Sequence, residues 1–401
     1  MIFHVPHQTF CRLVRVSQKQ TRHNTADKWE MEDVDTLALP NPDPSNGSST
    51  SSQILGSSRE IRDFELVWEY MPDPFWKRLA WTVDLVTSLR GLHWSWRSSQ
   101  IPPVSHSSVR ISQKRPFNAV AWLLFIYLSL DALNIIAKTD PYFWGITDNH
   151  SDLSVFHLES YIKISCHYHI FVSFLNLLIA NMLIFDTAPL VFVQILGPSL
   201  VGTLGEPWMY AFAYGPIQAI LDKGLQGFWA LWWHQMFRFG CSSPGLWVAD
   251  RLNIARSSKT AKSLRILVAF SLSGIVHACG CYTQWPSTSP LNVFLFFLAQ
   301  PVGMVAQELV MLAARGLFLK SRNENFHRIG KSIFTVIWLR LTFWLMADEY
   351  ARGGMWLIEP LPLSPLRCLG FGPAQNGWWR WQGIIPRVYW GDNWWQSGLA
   401  I

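Results

Sequence analysis

Five stretches of this chain meet or approach the length and apolarity that a bilayer crossing demands: Phe117 to Ile136, Tyr168 to Phe185, Leu264 to Tyr282, Leu291 to Ala313 and Ser332 to Met346. A crossing helix needs roughly 20 mostly apolar residues, because in hydrocarbon every backbone N–H and C=O must be satisfied within the helix itself. Two weaker stretches, Pro189 to Leu204 and Pro207 to Leu221, are interrupted by Gly and Pro. The pattern predicts an all-α polytopic membrane protein with about seven transmembrane helices, or eight, plus amphipathic interfacial helices around an intramembrane cavity.

Composition agrees. Half of the 401 residues are hydrophobic and only 15% are charged, against about 25% in an ordinary soluble domain, which argues against an ordinary water-soluble enzyme. The 23 Trp and 25 Phe suit the lipid headgroup boundary, and a lipid bilayer is the expected surrounding. A net charge of +6 could serve nucleic acid, but the basic residues are scattered between apolar runs, and no nucleic-acid partner is expected. Six cysteines without a CxxC pair fit neither a disulfide scaffold nor a zinc ribbon. The first twenty residues lack a cleavable signal, so insertion is expected from internal segments.

Four regions follow. Residues 1–61 are polar and rich in Pro, Gly, Ser and Asn from Pro40 to Ser58, a composition expected to stay disordered. Residues 62–116 are aromatic and helix-like but too charged to span, and are expected to lie on the cytosolic face. Residues 117–348 form the transmembrane catalytic core, and 349–401 a Trp-rich C-terminal segment. Lys and Arg gather in cytoplasmic loops. Stretch 86–116 carries five basic residues and no acidic one, whereas 137–167 carries two basic and four acidic. With both weak stretches crossing, loops 222–263 and 314–331, rich in basic residues, return to the cytosol. Asn149 opens an Asn-His-Ser acceptor in the predicted luminal loop and is the expected glycosylation site, unlike Asn46 in the cytosolic tail.

The segment GFWALWWHQMFR, Gly227 to Arg238, is the most unusual in the chain. On one continuous helix His234 and Arg238, four apart, would share a face beside the aromatic stripe of Trp229, Trp233 and Phe237. The plainer reading is an interfacial helix with a snorkelling Arg. His277, in LRILVAFSLSGIVHACGCY, is a lone imidazole about thirteen residues, or roughly 20 Å, into an apolar helix. Ionisable groups at membrane depth are costly and point to function. Burial disfavours the imidazolium, so a neutral ring could act as general base, and Ser273, Gly274 and Ala278 leave room beside it. A structural His bonded to a neighbouring helix is the alternative. Asp131, Asn176, Asn181, Gln194, Gln300 and Glu308 also fall in apolar segments, where interhelical hydrogen bonds explain them most simply. Cys166, His167 and His169 lack a fourth ligand at suitable spacing, and no metal site is expected. Gly330-Lys331-Ser332 lacks the leading glycine of a P-loop, GCSSPG has the wrong spacing for a nucleophile elbow, and no GxGxxG is present.

These segments resemble the membrane-bound O-acyltransferases, and within them the wax-synthase-like branch found in fungi. GFWALWWHQMFR is similar to that branch's FW-x-x-x-WHQ-x-x-R signature through Phe228, Trp229, Trp233, His234, Gln235 and Arg238. FSLSGIVHACG is similar to its Ser-Gly and intramembrane His signature through Ser273, Gly274 and His277. RLAWTVDLVTSLRGLHWSW, FFLAQPVGMVAQE and Glu206-Pro207-Trp208 add weaker likeness, and together the segments cover roughly residues 65 to 310. Ala278 stands where the family commonly has Glu, and no hydrophobic segment precedes residue 60.

The resemblance implies transfer of an acetyl or other acyl group from acetyl-CoA, a co-substrate rather than a resident cofactor, to a hydroxyl of a lipophilic alcohol. A terpenoid or meroterpenoid of fungal secondary metabolism is the preferred acceptor, and the endoplasmic reticulum the expected location. His277 is then the catalytic base and His234 a second catalytic residue that polarises the carbonyl or orients the donor. Trp229, Trp233, Gln235, Arg238, Ser273 and Gly274 line the substrate and CoA site, with Arg238 on a CoA phosphate or a structural carboxylate. A long-chain wax-ester acyltransferase is the nearest alternative. A transporter or lipid-binding protein would call for matching broken helices in two repeats, and the two interrupted segments are adjacent instead. A haem or metal oxidoreductase would need paired intramembrane His residues.

Overall fold

The computed structural model describes residues 12–17, 64–88, 90–97, 116–145, 158–206, 209–210, 213–234, 236–284, 288–317, 324–372, 377–380, 387–392 and 398–400. It divides into a unit ending at Arg97 and a larger unit from Ser98 onward.

In the first unit, β1 (Arg12–Ser17) pairs antiparallel with β2 (Phe64–Glu69), Arg12 opposite Glu69. Both depart from expectation, since Arg12–Ser17 falls in the tail read as disordered and Phe64–Glu69 in a region read as helix. The reason lies in the segments RLVRVS and FELVWE, whose branched and aromatic residues favour a pleated strand. Helix α1 (Phe75–Thr87) follows. Its inner side holds Trp81 edge-on to Trp94 at 4.8 Å, and Asp84 bonds His93 at 3.0 Å. Its other side leaves Phe75, Trp76, Leu79, Val83 and Val86 exposed, the apolar stripe of an interfacial helix.

The second unit is built on α2 (Pro116–Thr139), α3 (Leu158–Pro189), α4 (Arg238–Arg251), α5 (Lys259–Tyr282), α6 (Pro290–Leu317), α7 (Glu324–Thr342) and α8 (Trp344–Arg352). Five helical stretches among the described residues, rather than about seven, are long and apolar enough to cross a membrane: Val120–Thr139, His167–Val201, Lys259–Tyr282, Pro290–Ala314 and His327–Arg352. The two weaker stretches account for the difference. Pro189 does not open a new crossing, because α3 runs on through a π-helix, Leu190–Leu196, until Gly197, with φ +71°, turns the chain. Of the second stretch, the long helical part among the described residues is only Gln218–Lys223. Each crossing exposes large apolar side chains, among them Phe125, Phe171, Val302, Leu309 and Val336, as lipid contact requires. The core lies where α2, α3, α6 and α8 meet, around Leu130, Ile170, Phe296, Phe343 and Met346.

The C-terminal segment is fastened to α2. Asp131, wholly buried, pairs with Arg380 and accepts from Ser364 Oγ at 2.7 Å and Leu366 N at 3.0 Å. Beside it Glu359 accepts from Arg367 at 2.6 Å and meets Lys138 at 2.7 Å. Strands β3 (Arg387–Tyr389) and β4 (Gly398–Ala400) close the chain as an antiparallel pair. Asp131 is thus satisfied from within the fold, as are Asn181, whose amide bonds Leu177 O at 2.8 Å, and His169, bonded to Asp140 at 2.9 Å and stacked on Tyr142 at 4.1 Å.

Candidate active site

The aromatic signature does not form one helix. Leu225–Gly227 is α-helical and Phe228–Trp232 widens to a π-turn, the Trp233 N–H reaching back to Phe228 O at 2.7 Å. Trp233 then adopts extended backbone, and Arg238 begins α4. His234 and Arg238 therefore lie in separate elements, which corrects the expectation that they share a helix face. The cause is tertiary. Gly215 N–H takes the Trp232 carbonyl at 2.9 Å, the group that a continuing helix would use. Only glycine fits there, because a β-carbon would run into the Leu231 carbonyl oxygen. The entry to the segment is held too: buried Gln307 of α6 accepts from Leu225 N at 2.8 Å, and Arg328 of α7 pairs with Asp222 at 2.8 Å.

Within the turn, the Trp229 indole packs edge-on against Phe270 of α5 at 5.7 Å and meets Phe296 and Phe297 of α6 at 6.2 and 6.3 Å. Its N–H donates to Gln300 Oε1 at 3.2 Å, while the Gln300 amide donates to Phe296 O at 2.8 Å and to Thr342 Oγ1 at 3.3 Å. Gln300 is fully buried and ties the signature to α6 and α7. Trp233 is buried against Phe228 and Phe174. His234 stands half-buried between Trp233 at 5.2 Å and Phe185 of the second crossing at 5.9 Å.

His277 lies on α5, its ring 4.3 Å from that of Phe297. Its Nδ1 is 2.7 Å from the Ser273 carbonyl. A carbonyl only accepts, so Nδ1 carries the hydrogen and Nε2 presents its lone pair. Gly274 lets α6 approach, since a β-carbon there would come within 2.9 Å of Phe294 and 3.2 Å of Phe297. The ring contacts that link His277 to His234 run through Phe297, Trp229 and Trp233. Arg238 donates to the Ala230 carbonyl. Burial, and then the charge of Arg265, push its pKa down. Gln235, Pro207, Trp208, Asn46 and Asn149 lie outside the described residues.

Residues 210–299, which hold both histidines, match the membrane bound O-acyl transferase family. The chain is 22% identical over 356 residues to acetyltransferase eriL of Hericium erinaceus, covering 82% of each. Acetyltransferase sirH of Leptosphaeria maculans is 24% identical over 71% of this chain and 68% of its own.

Over these residues the chain is similar to the membrane-bound O-acyltransferases.

This acyltransferase is also similar to O-mevalon transferase yanI of Aspergillus niger, at 26% identity over 52% of this chain and 47% of the relative. No solved structure matches it significantly. It is a membrane enzyme that transfers acyl groups, and acetyl transfer is the activity that most of the named relatives share. Gln300 and Gln307 are the residues of the acyltransferase that sequence reasoning left out of the site. An amide inside an apolar run was their one signal, and it was shared with Gln194 and Asn181.

Proposed function

We propose that the enzyme transfers the acetyl group of acetyl-CoA to a hydroxyl of a lipophilic polycyclic alcohol, a terpenoid or meroterpenoid, at the endoplasmic reticulum membrane. The observation that carries this reading is the Nδ1–H bond from His277 to Ser273 O, which leaves Nε2 as the proton acceptor beside the aromatic signature. Nε2 takes the hydroxyl proton as the oxygen bonds to the thioester carbonyl carbon. The C–S bond then breaks, and the imidazolium returns the proton to the CoA thiolate. His234 orients the donor or polarises its carbonyl. Trp229, Trp233, Ser273 and Gly274 line the passage.

Orientation supports the reading. Removing two adjacent crossings leaves the alternation of basic loops unchanged, so residues 202–258 and 318–323 stay cytosolic and the segment after Arg352 is luminal. CoA, a water-soluble polyanion, arrives from the cytosol, and the alcohol from the bilayer. Incubating microsomes that contain the protein with labelled acetyl-CoA and a panel of polycyclic alcohols tests both substrates by product mass. Acetyl ester should form, and His277→Ala should abolish it while insertion and folding persist. Full turnover by correctly inserted His277→Ala protein removes the imidazole from the chemistry. Since some relatives are named O-mevalon transferases, the donor panel should include larger acyl-CoA thioesters.

A further inference from the structure

Helix α2 is covered over only half its length. Its first half exposes Val120, Trp122, Leu124, Phe125 and Leu128, whereas from Ser129 to Lys138 no residue is exposed. The C-terminal segment supplies cover there. Helices α2 and α8 end side by side, since Tyr142 Oη donates to Asp348 at 2.6 Å and a β-carbon on Gly145 would lie 3.0 Å from Arg352 Cα. From that face the chain turns back along α2. Glu359 meets Lys138 at 2.7 Å, Ser364 and Leu366 donate to Asp131, and the Leu363 carbonyl accepts from Tyr127 Oη at 2.7 Å. Tyr127 stands twelve residues before Thr139, the last of α2, or about 18 Å along its axis at 1.5 Å per residue. The crossing Val120–Thr139 has 20 residues, so the segment reaches about the middle of a hydrocarbon layer roughly 30 Å thick.

Its backbone is completed from within. Pro360, Pro362 and Pro365 have no N–H to satisfy, and from Ser364 to Phe371 every other N–H is bonded. That of Ser364 donates to Trp378 O at 2.9 Å, that of Leu366 to Asp131 at 3.0 Å and that of Arg367 to Ser364 Oγ at 3.3 Å. Those of Cys368, Leu369, Gly370 and Phe371 donate to the carbonyls of residues 364–367 at 2.9 to 3.1 Å. Water would complete a surface loop, but non-helical backbone at membrane depth has only protein partners. The side chains are arranged for the same medium. Arg367 and Arg380 turn inward and are buried, while Leu369 is 72% exposed, Phe371 61% and Trp378 57%. In water the opposite arrangement is favoured. The apolar surface that α2 presents as far as Leu128 is thus taken up by the segment from the level of Tyr127.

We propose that residues 359–372 and 377–380 form a re-entrant element. It enters the bilayer from the face where α2 and α8 end, reaches the middle beside α2, and lays Leu369, Phe371, Trp378 and Trp379 against phospholipid acyl chains. This arrangement holds whichever side of the membrane that face is on, and it is independent of the acyl-transfer chemistry.

The purified full chain in phosphatidylcholine nanodiscs is treated with an anionic, water-soluble maleimide and read cysteine by cysteine by mass spectrometry. Cys368 is exposed on the protein surface within the segment. It should label at least about tenfold more slowly than a Ser257→Cys reference in the exposed link between α4 and α5, because hydrocarbon excludes a charged reagent. The two should label alike once unfolded in dodecyl sulfate. Equal rates in the nanodisc place the segment in water and overturn the proposal. Nitroxides at Leu369→Cys and Phe371→Cys, in otherwise cysteine-free protein that unfolds at the wild-type temperature, separate lipid from protein as the cover. Dissolved oxygen should relax both labels and a water-soluble nickel chelate neither, as at the lipid-facing standard Leu128→Cys. Relaxation by nickel means water contact, and relaxation by neither means that a second copy or another protein covers the patch. Either result overturns the proposal.

Discussion

The amide of Gln300 accepts the Trp229 indole N–H at 3.2 Å from a fully buried position nearly three helical turns beyond the start of α6. Its own N–H group is spent on Phe296 O and Thr342 Oγ1, so the amide is locked and the indole orientation with it. Trp229 in turn packs on Phe297, against which His277 rests. On the proposed chemistry Gln300 is a positioning residue. Gln300→Leu should lower kcat about tenfold, because small displacements of reacting groups are costly, with KM for the acyl donor little changed. Gln300→Glu keeps an acceptor oxygen and should recover part of the loss. Steady-state kinetics on both variants checks this, and equal loss in both would reduce Gln300 to a packing role.

Gly215→Ala should inactivate the enzyme without unfolding the crossings. The added methyl group displaces the Leu231 carbonyl and breaks the Gly215–Trp232 bond at 2.9 Å, at a cost of about 1–3 kcal/mol for overpacking. The π-turn then loses its stop. Far-UV circular dichroism should stay near wild type while turnover falls, and an active Gly215→Ala enzyme contradicts this account.

Breaking the pair between Asp131 and Arg380, both side chains fully buried, should be severe on one side and mild on both. Asp131→Leu leaves the buried guanidinium only Glu359, at 4.0 Å, and should cost about 3 kcal/mol. Adding Arg380→Leu should return much of that loss. Thermal unfolding in detergent, run as a double-mutant cycle, measures the difference.

Glu359 gives the same region a pH dependence. Burial pushes its carboxyl towards the neutral form, but hydrogen bonds from Lys138 and Arg367, with the charges of Lys138 and Arg380, hold it below its ordinary value. A depressed folded value contributes stability above the unfolded pKa that is lost as pH falls through the folded one. The C-terminal segment should therefore resist proteolysis at neutral pH and become cleavable below about pH 4. Glu359→Gln should lower protection at neutral pH and flatten the profile.

What could be read from the chain was whatever a local pattern encodes. The five crossings are runs of apolar residues, and the two histidines stand out because their neighbours are aromatic or aliphatic. The π-turn at Phe228–Trp232 was not legible, since its end depends on Gly215, a residue outside the segment. Pro189 reads as a break, yet α3 continues through it into Leu190–Leu196, because a wider turn absorbs the missing N–H. Asp131 looked like one more intramembrane polar group. Its partner Arg380 lies 249 positions away, a separation for which no periodicity exists.

The fastening of Asp131 by Arg380 makes the coding sequence around codon 380 a condition for the crossing that holds Asp131. A premature stop codon or splicing error upstream of codon 380 would strip a carboxylate of its counterion amid aliphatic neighbours, and cellular quality control recognises such chains and degrades them. Lesions there should register as missing protein rather than as accumulated inactive enzyme.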